Sequence, residues 1–239
     1  MTATSRQDHS TTSIKELQDI LDELKVLPNW YGYKKKRKPN SDDFSKPPIN
    51  PHTGKLAKIN DLSTCGTFEE ALDAIDKYGL DGLGFNFLNS GYSGLDFDDC
   101  YDPDTGELNE FAKPRVEGAN TYTEISPSGR GVKCIIRGTF EKSFKYPDTT
   151  NPQLEVFSNS GYFTITGNRL PGTPATIRQW TPEELERFNY SYCGQYKNQG
   201  GDSKVRRKVN EGGRDNYLTS HAGRLRYGGY DEETIYDVL

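Results

Sequence analysis

Between positions 29 and 167 the chain breaks into short segments that alternate apolar and polar residues and are joined by short turns. A period of two belongs to half-buried strands, and turns this short join antiparallel neighbours. Segments 29–33, 82–88, 93–98, 121–125, 132–137, 154–157 and 162–166 are predicted strands, with Gly91 expected to fold 82–88 onto 93–98 as a hairpin. Helices interrupt them. Thr67 and Glu70 form a capping box ahead of Phe68, Ala71, Leu72 and Ile75, and a polar loop over 101–112 leads into a short helix. Upstream, Ser13 and Glu16 cap an apolar stripe of Ile14, Leu17, Ile20, Leu21 and Leu24 that ends before Pro28, and Thr181 opens another helix through Glu184. The fold class expected is α+β: a largely antiparallel sheet with helices on one side.

The 239 residues suffice for one large domain and a small appendix. Only 32% are hydrophobic, yet 15 Tyr, 11 Phe and 2 Trp can supply a core. No stretch approaches the roughly 18 apolar residues of a membrane helix. Residues 1–12 are polar, lack the apolar centre of a secretory signal and are expected to be a disordered lead, so the chain is expected in the cytosol. Cys65, Cys100, Cys134 and Cys193 form no CxxC pair, and His9, His52 and His221 are equally scattered. Zinc is therefore not expected, nor is a histidine-based site. The net charge of −5 conceals a dense basic run of Lys34, Lys35, Lys36, Arg37 and Lys38. After a main domain over 13–194, residues 195–203 are predicted to be a linker and 204–239 a partial helical domain, which the chain leaves inside an apolar stripe, as a fragment of something longer would.

Chemistry concentrates in three places. Asp96 and Asp98 alternate on a predicted strand, so both carboxylates share a face while Phe97 turns to the core. Carboxylates placed side by side repel, and a shared cation relieves them; oxygen donors suit Mg²⁺ or Mn²⁺. Next, Ser126, Ser128, Gly129, Arg130 and Gly131 make a small-residue turn whose backbone N–H groups can hold phosphate, with Arg130 and Lys133 adding positive charge. Third, Glu155 interrupts an apolar strand. Each feature alone also has a structural reading: carboxylates at a strand end, a glycine hairpin, an outward-facing glutamate.

Their order, leading into Tyr162-Phe163-Thr164-Ile165-Thr166-Gly167, resembles the archaeo-eukaryotic primase superfamily, and most closely its phage- and plasmid-type primase–polymerases. Lys46-Pro47-Pro48, Pro51-x-Thr53-Gly54, Asn60-Asp61 and Gly82-x-Gly84-Phe85 are similar to that family's upstream pattern, and 211–226 to the start of its helical C-terminal domain. The resemblance implies a catalytic unit related to RNA-recognition motifs, with Asp96, Asp98 and Glu155 as ligands of Mg²⁺ or Mn²⁺. It implies a nucleotide site from Ser126, Ser128, Gly129, Arg130, Lys133, Tyr162, Thr164 and Thr166. Lys133 stands where many members carry His, and a lysine brings fixed charge to phosphate. Partners implied are a single-stranded DNA template, dNTP or NTP, and a helicase beyond the C-terminal segment. The template is expected on Lys34, Lys35, Lys36, Arg37 and Lys46, with Trp30, Tyr31 and Tyr33 stacking on bases. With its strand expected to return along 154–157 beside Glu155, Tyr162 is read either as a core aromatic or as a ring set against the sugar. Two rivals share the pattern: a non-catalytic replication-initiator module and a metal-dependent nuclease.

Overall fold

The computed structural model describes residues 22–39, 44–147 and 153–194. The lead at 1–12, most of the helix expected from Ser13, and the segments at 195–203 and 204–239 lie outside the described residues. In chain order the elements are α1 (Asp22–Lys25), β1 (Trp30–Tyr33), β2 (Lys36–Arg37), β3 (Phe44–Ser45), β4 (Pro48–Ile49), α2 (Phe68–Tyr78), β5 (Gly82–Asn86), β6 (Tyr92–Phe97), β7 (Tyr101–Asp102), β8 (Glu107–Leu108), α3 (Ala112–Ala119), β9 (Thr123–Ile125), β10 (Val132–Arg137), β11 (Phe144–Tyr146), β12 (Leu154–Ser158), β13 (Tyr162–Ile165), β14 (Arg178–Gln179) and α4 (Pro182–Asn189). The chain divides into two compact units, 1–185 and 186–239, and all of these strands belong to the first. Among the described residues no helix is long and apolar enough to cross a membrane.

The long strands sort into two sheets rather than one. A four-stranded antiparallel sheet runs β13-β5-β1-β4, and a second runs β11-β12-β6-β10-β14 with β9 also paired to β10. The second is antiparallel except for β10 with β14. The hairpin expected at Gly91 is not formed: β5 lies in the first sheet and β6 in the second. The same holds for β12 and β13, so the return of 162–166 along Glu155's strand is also not formed. Both crossings use left-handed backbone, at Asn89 (φ 54°) and Gly91 (φ 82°), and at Asn159 (φ 51°) and Gly161 (φ 76°). They are tied together where the Phe87 amide donates to Gly161 O at 3.0 Å.

The change of sheet follows from how much aromatic volume must be buried. Phe85, Phe87 and Phe163 are 0–3% exposed, and they interlock edge to face, Phe87 on Phe163 at 4.8 Å and Phe85 on Phe87 at 5.5 Å. A Cβ on Gly94 of β6 would fall 2.0 Å from Phe163 Cε1 and 2.5 Å from Phe87 Cζ. The bare backbone at Gly94 is thus the floor on which these rings pack. Each sheet has its own helix. α2 packs on β1 and β5, where Phe68 meets Trp30 edge to face at 5.0 Å. Its capping box is formed: Thr67 Oγ1 accepts from the Glu70 amide at 3.2 Å, and Glu70 Oε2 from the Thr67 amide at 2.9 Å. α3 presents Ala112, Val116 and Ala119 as its buried side and packs on β10.

Gly94→Ala is expected to overpack this floor by about 1–3 kcal/mol, lowering the midpoint of thermal unfolding by roughly 3–10 °C. A calorimetric midpoint unchanged from the parent would show that the rings do not rest there.

Candidate active site

Strand register lines up one residue from each of five strands across the second sheet: Lys145, Glu155, Asp96, Lys133 and Glu124. Cross-strand partners share a face, so Asp96 and Glu155 stand side by side as like charges. The flanking lysines compensate. Lys133 Nζ donates to Asp96 Oδ2, and Lys145 Nζ to Glu155 Oε1 at 2.7 Å. The first pair is close to buried, with side chains 7% and 13% exposed. Asp98, two residues past Asp96, adds a third carboxylate to the same side, while Phe97 between them is fully buried.

The electrostatics record the crowding. Desolvation, then the charge of Asp96, pushes the Asp98 carboxyl up to about 6; Glu155 and Asp99 add to this and Lys133 opposes it. Asp96 Oδ1 is buried and has no hydrogen-bond partner. An orphaned buried acceptor costs about 1–3 kcal/mol, which a bound cation would offset. Asp96, Asp98 and Glu155 offer oxygen donors alone, the donor type that Mg²⁺ and Mn²⁺ take.

The turn between β9 and β10 abuts this centre, and three of its amides are engaged within it. Gly129 N–H donates to Ser126 O at 2.9 Å, Arg130 N–H to Ser128 Oγ at 3.3 Å and Gly131 N–H to Ser126 Oγ at 3.2 Å. At these three positions the backbone N–H groups, expected to hold phosphate, bond within the turn itself. Arg130 Nε reaches Asp99 at 3.1 Å, both side chains being well exposed. A Cβ on Gly131 would lie 2.6 Å from Phe97 O, so the turn seats directly on the acidic strand.

Other expected residues divide. Lys46 belongs at the centre: burial lowers its pKa, Lys133 adds to the lowering, and Asp96 and Asp98 oppose it. Lys34, Lys35, Lys36 and Arg37 are exposed. Lys34 lies 3.6 Å from Asp81, and the Lys35 amide donates to Asp81 Oδ2 at 2.7 Å. Trp30, Tyr31 and Tyr33, however, are 0–4% exposed and cannot stack on bases. β1 is an interior strand of its sheet, and both of its faces are covered. Tyr162 sits on β13 against Gly84 and meets Tyr31 edge to face at 5.8 Å, in the aromatic packing of the first sheet. Thr164 is 4% exposed on the same strand.

Nothing in the sequence singles out Glu124. It is fully buried and accepts from Tyr122 Oη at 2.9 Å and from the Thr166 and Gly167 amides at 2.8 and 3.0 Å. Burial raises it to about 7 against the pull of these bonds. It thereby ties the end of β13 to the charged row, and Thr166 Oγ1 donates to Ile125 O at 2.8 Å beside it. A lone glutamate among threonines carries no local signal; strand register alone reveals it.

Residues 203–239 match the family model "Primase C terminal 1 (PriCT-1)". Over 146 residues, 60% of this chain, it is 32% identical to the "DNA Primase-polymerase" of Nitratiruptor phage NrS-1. The chain spans about a fifth of that relative's length, the match covering 20% of it. The two matches support a primase–polymerase region followed by a primase C-terminal region.

The two aspartates should respond oppositely to neutralisation. Asp98→Asn removes a carboxylate that is ionised at a cost above pH 6, so it should melt higher than the parent at pH 8, a gain that shrinks at pH 5 where the folded parent already holds that proton. Asp96→Asn strips a buried lysine of its counter-charge and should lose about 3 kcal/mol. Equal shifts for both variants in metal-free thermal melts would contradict the pairing.

Proposed function

We propose that this chain is the template-dependent nucleotidyltransferase module of a mobile-element replication protein, a DNA primase/polymerase. The convergence of Asp96, Asp98 and Glu155 on one sheet face carries the reading. Asp96, Asp98 and Glu155 would hold Mg²⁺ or Mn²⁺, on a catalytic unit of the RNA-recognition-motif type. Two such cations, when bound, stabilise the attacking and leaving oxygens of nucleotidyl transfer.

The remaining work falls to the chain's own groups. Lys133, braced on Asp96, keeps that carboxylate aimed while holding positive charge at the centre. Lys46, Ser128 and Arg130 provide charge and hydroxyl contacts for the triphosphate of an incoming dNTP or NTP. Glu124 holds the Thr166–Gly167 backbone against the row, so the nucleotide side of the site is set by strand pairing rather than by a loose loop. A primer 3′-hydroxyl then displaces pyrophosphate from the α-phosphate, and the protein contributes positioning and preorganised charge. The single-stranded DNA template enters along the basic ribbon, and a helicase domain or subunit follows the primase C-terminal region.

Incubation with a primed template, dNTP and Mn²⁺ is expected to give extension, and Asp98→Ala should abolish it. Degradation of the primer would instead identify a nuclease; template binding without extension would identify an initiator module.

A further inference from the structure

With Trp30, Tyr31 and Tyr33 buried, the basic run would lack an aromatic partner, were it not for Phe44. We infer that the β2–β3 ribbon is a platform for single-stranded nucleic acid, with Phe44 as its stacking residue. The inference deepens the reading of the chain as a template-dependent enzyme and rests on it for the identity of the strand.

Phe44 is 49% exposed, and no other described aromatic ring in the first unit is as open. About half of the Phe44 surface is thus left in water, and the open part of the ring is available for stacking. The ribbon is exposed along both strands. Its pairing fixes what surrounds the ring: Phe44 stands opposite Arg37, and Ser45 opposite Lys36. Arg37 therefore stands beside the ring on one face of the ribbon and Lys36 lies on the other, with Lys34, Lys35 and Lys38 as well as Asp42 and Asp43 nearby in sequence, on a chain whose net charge is −5. An apolar ring beside a cation suits a ligand with a flat face and a regular negative backbone, which is what successive nucleotides present.

The ribbon is also anchored and directed. At one end the Lys35 amide is held by Asp81. At the other, Ser45 passes into Lys46, whose charge feels Asp96, Asp98 and Lys133. Two residues of extended backbone separate Phe44 from Lys46, about 7 Å. The ribbon thus runs from the stacking ring to a lysine whose charge interacts with the carboxylates. Apolar and acidic peptide partners would engage the ring without regard to bases.

The test is anisotropy of a labelled dT oligonucleotide, titrated with the full chain in the absence of divalent cation. Phe44→Ala should weaken binding roughly tenfold, within the 1–3 kcal/mol of one base stack. Phe44→Trp should keep the affinity, and its indole should be quenched on saturation, because Trp30 and Trp180 are buried at 0% and 5%. Unchanged affinity of Phe44→Ala, or an unquenched indole at saturation, overturns the platform. Extension of a primer by the parent, measured separately, keeps the outcomes distinct: extension with no role for Phe44 removes the platform alone, and binding through Phe44 without extension removes the catalytic reading alone.

Discussion

The ion pair between Asp96 and Lys133 lets the second sheet exist in this form. β6 is the interior strand on which β10 and β12 both pair, and its register sets Asp96 directly against Glu155. Two carboxylates at that spacing, largely out of water, would repel enough to disfavour the pairing. Lys133 supplies the opposing charge from the next strand, and Lys145 supplies another on the far side. The sheet can therefore form with these carboxylates already countered by its own lysines. The compensation is incomplete, since Asp96 Oδ1 stays unpartnered and Asp98 holds its proton up to about pH 6.

The aromatic floor explains why this row is held rigidly. Asp96 lies two residues beyond Gly94, on the same face, and Phe163 seats on Gly94 while its ring also lies 4.8 Å from Lys133 Nζ. Packing of the two sheets and placement of the charged row are one arrangement. The two crossings at residues 87–91 and 159–161 make it possible by carrying the chain from one sheet to the other side by side.

How much was legible in the sequence depends on the range of each signal. Local signals read correctly: the capping box at Thr67 and Glu70, the alternation that turns Phe97 inward between Asp96 and Asp98, and most strand positions. Signals that depend on partners did not. Gly91 reads as a hairpin turn because short-range patterns cannot say whether a chain returns beside itself or passes to another sheet. Trp30, Tyr31 and Tyr33 precede a basic run, which resembles a nucleic-acid surface, but an interior strand hides both its faces. Glu124 and Lys46 gain their meaning only from register and from a loop's return to the acidic strand, and Phe44 only from its exposure.

A double-mutant cycle on Asp96→Asn and Lys133→Met, followed by urea unfolding without divalent cation, tests the central ion pair most directly. Each single change should be costly and the pair of changes markedly less than their sum, with a coupling energy of about 2 kcal/mol or more. Additivity within about 0.5 kcal/mol would mean that the two side chains do not depend on each other, and that the charged row is held by something else.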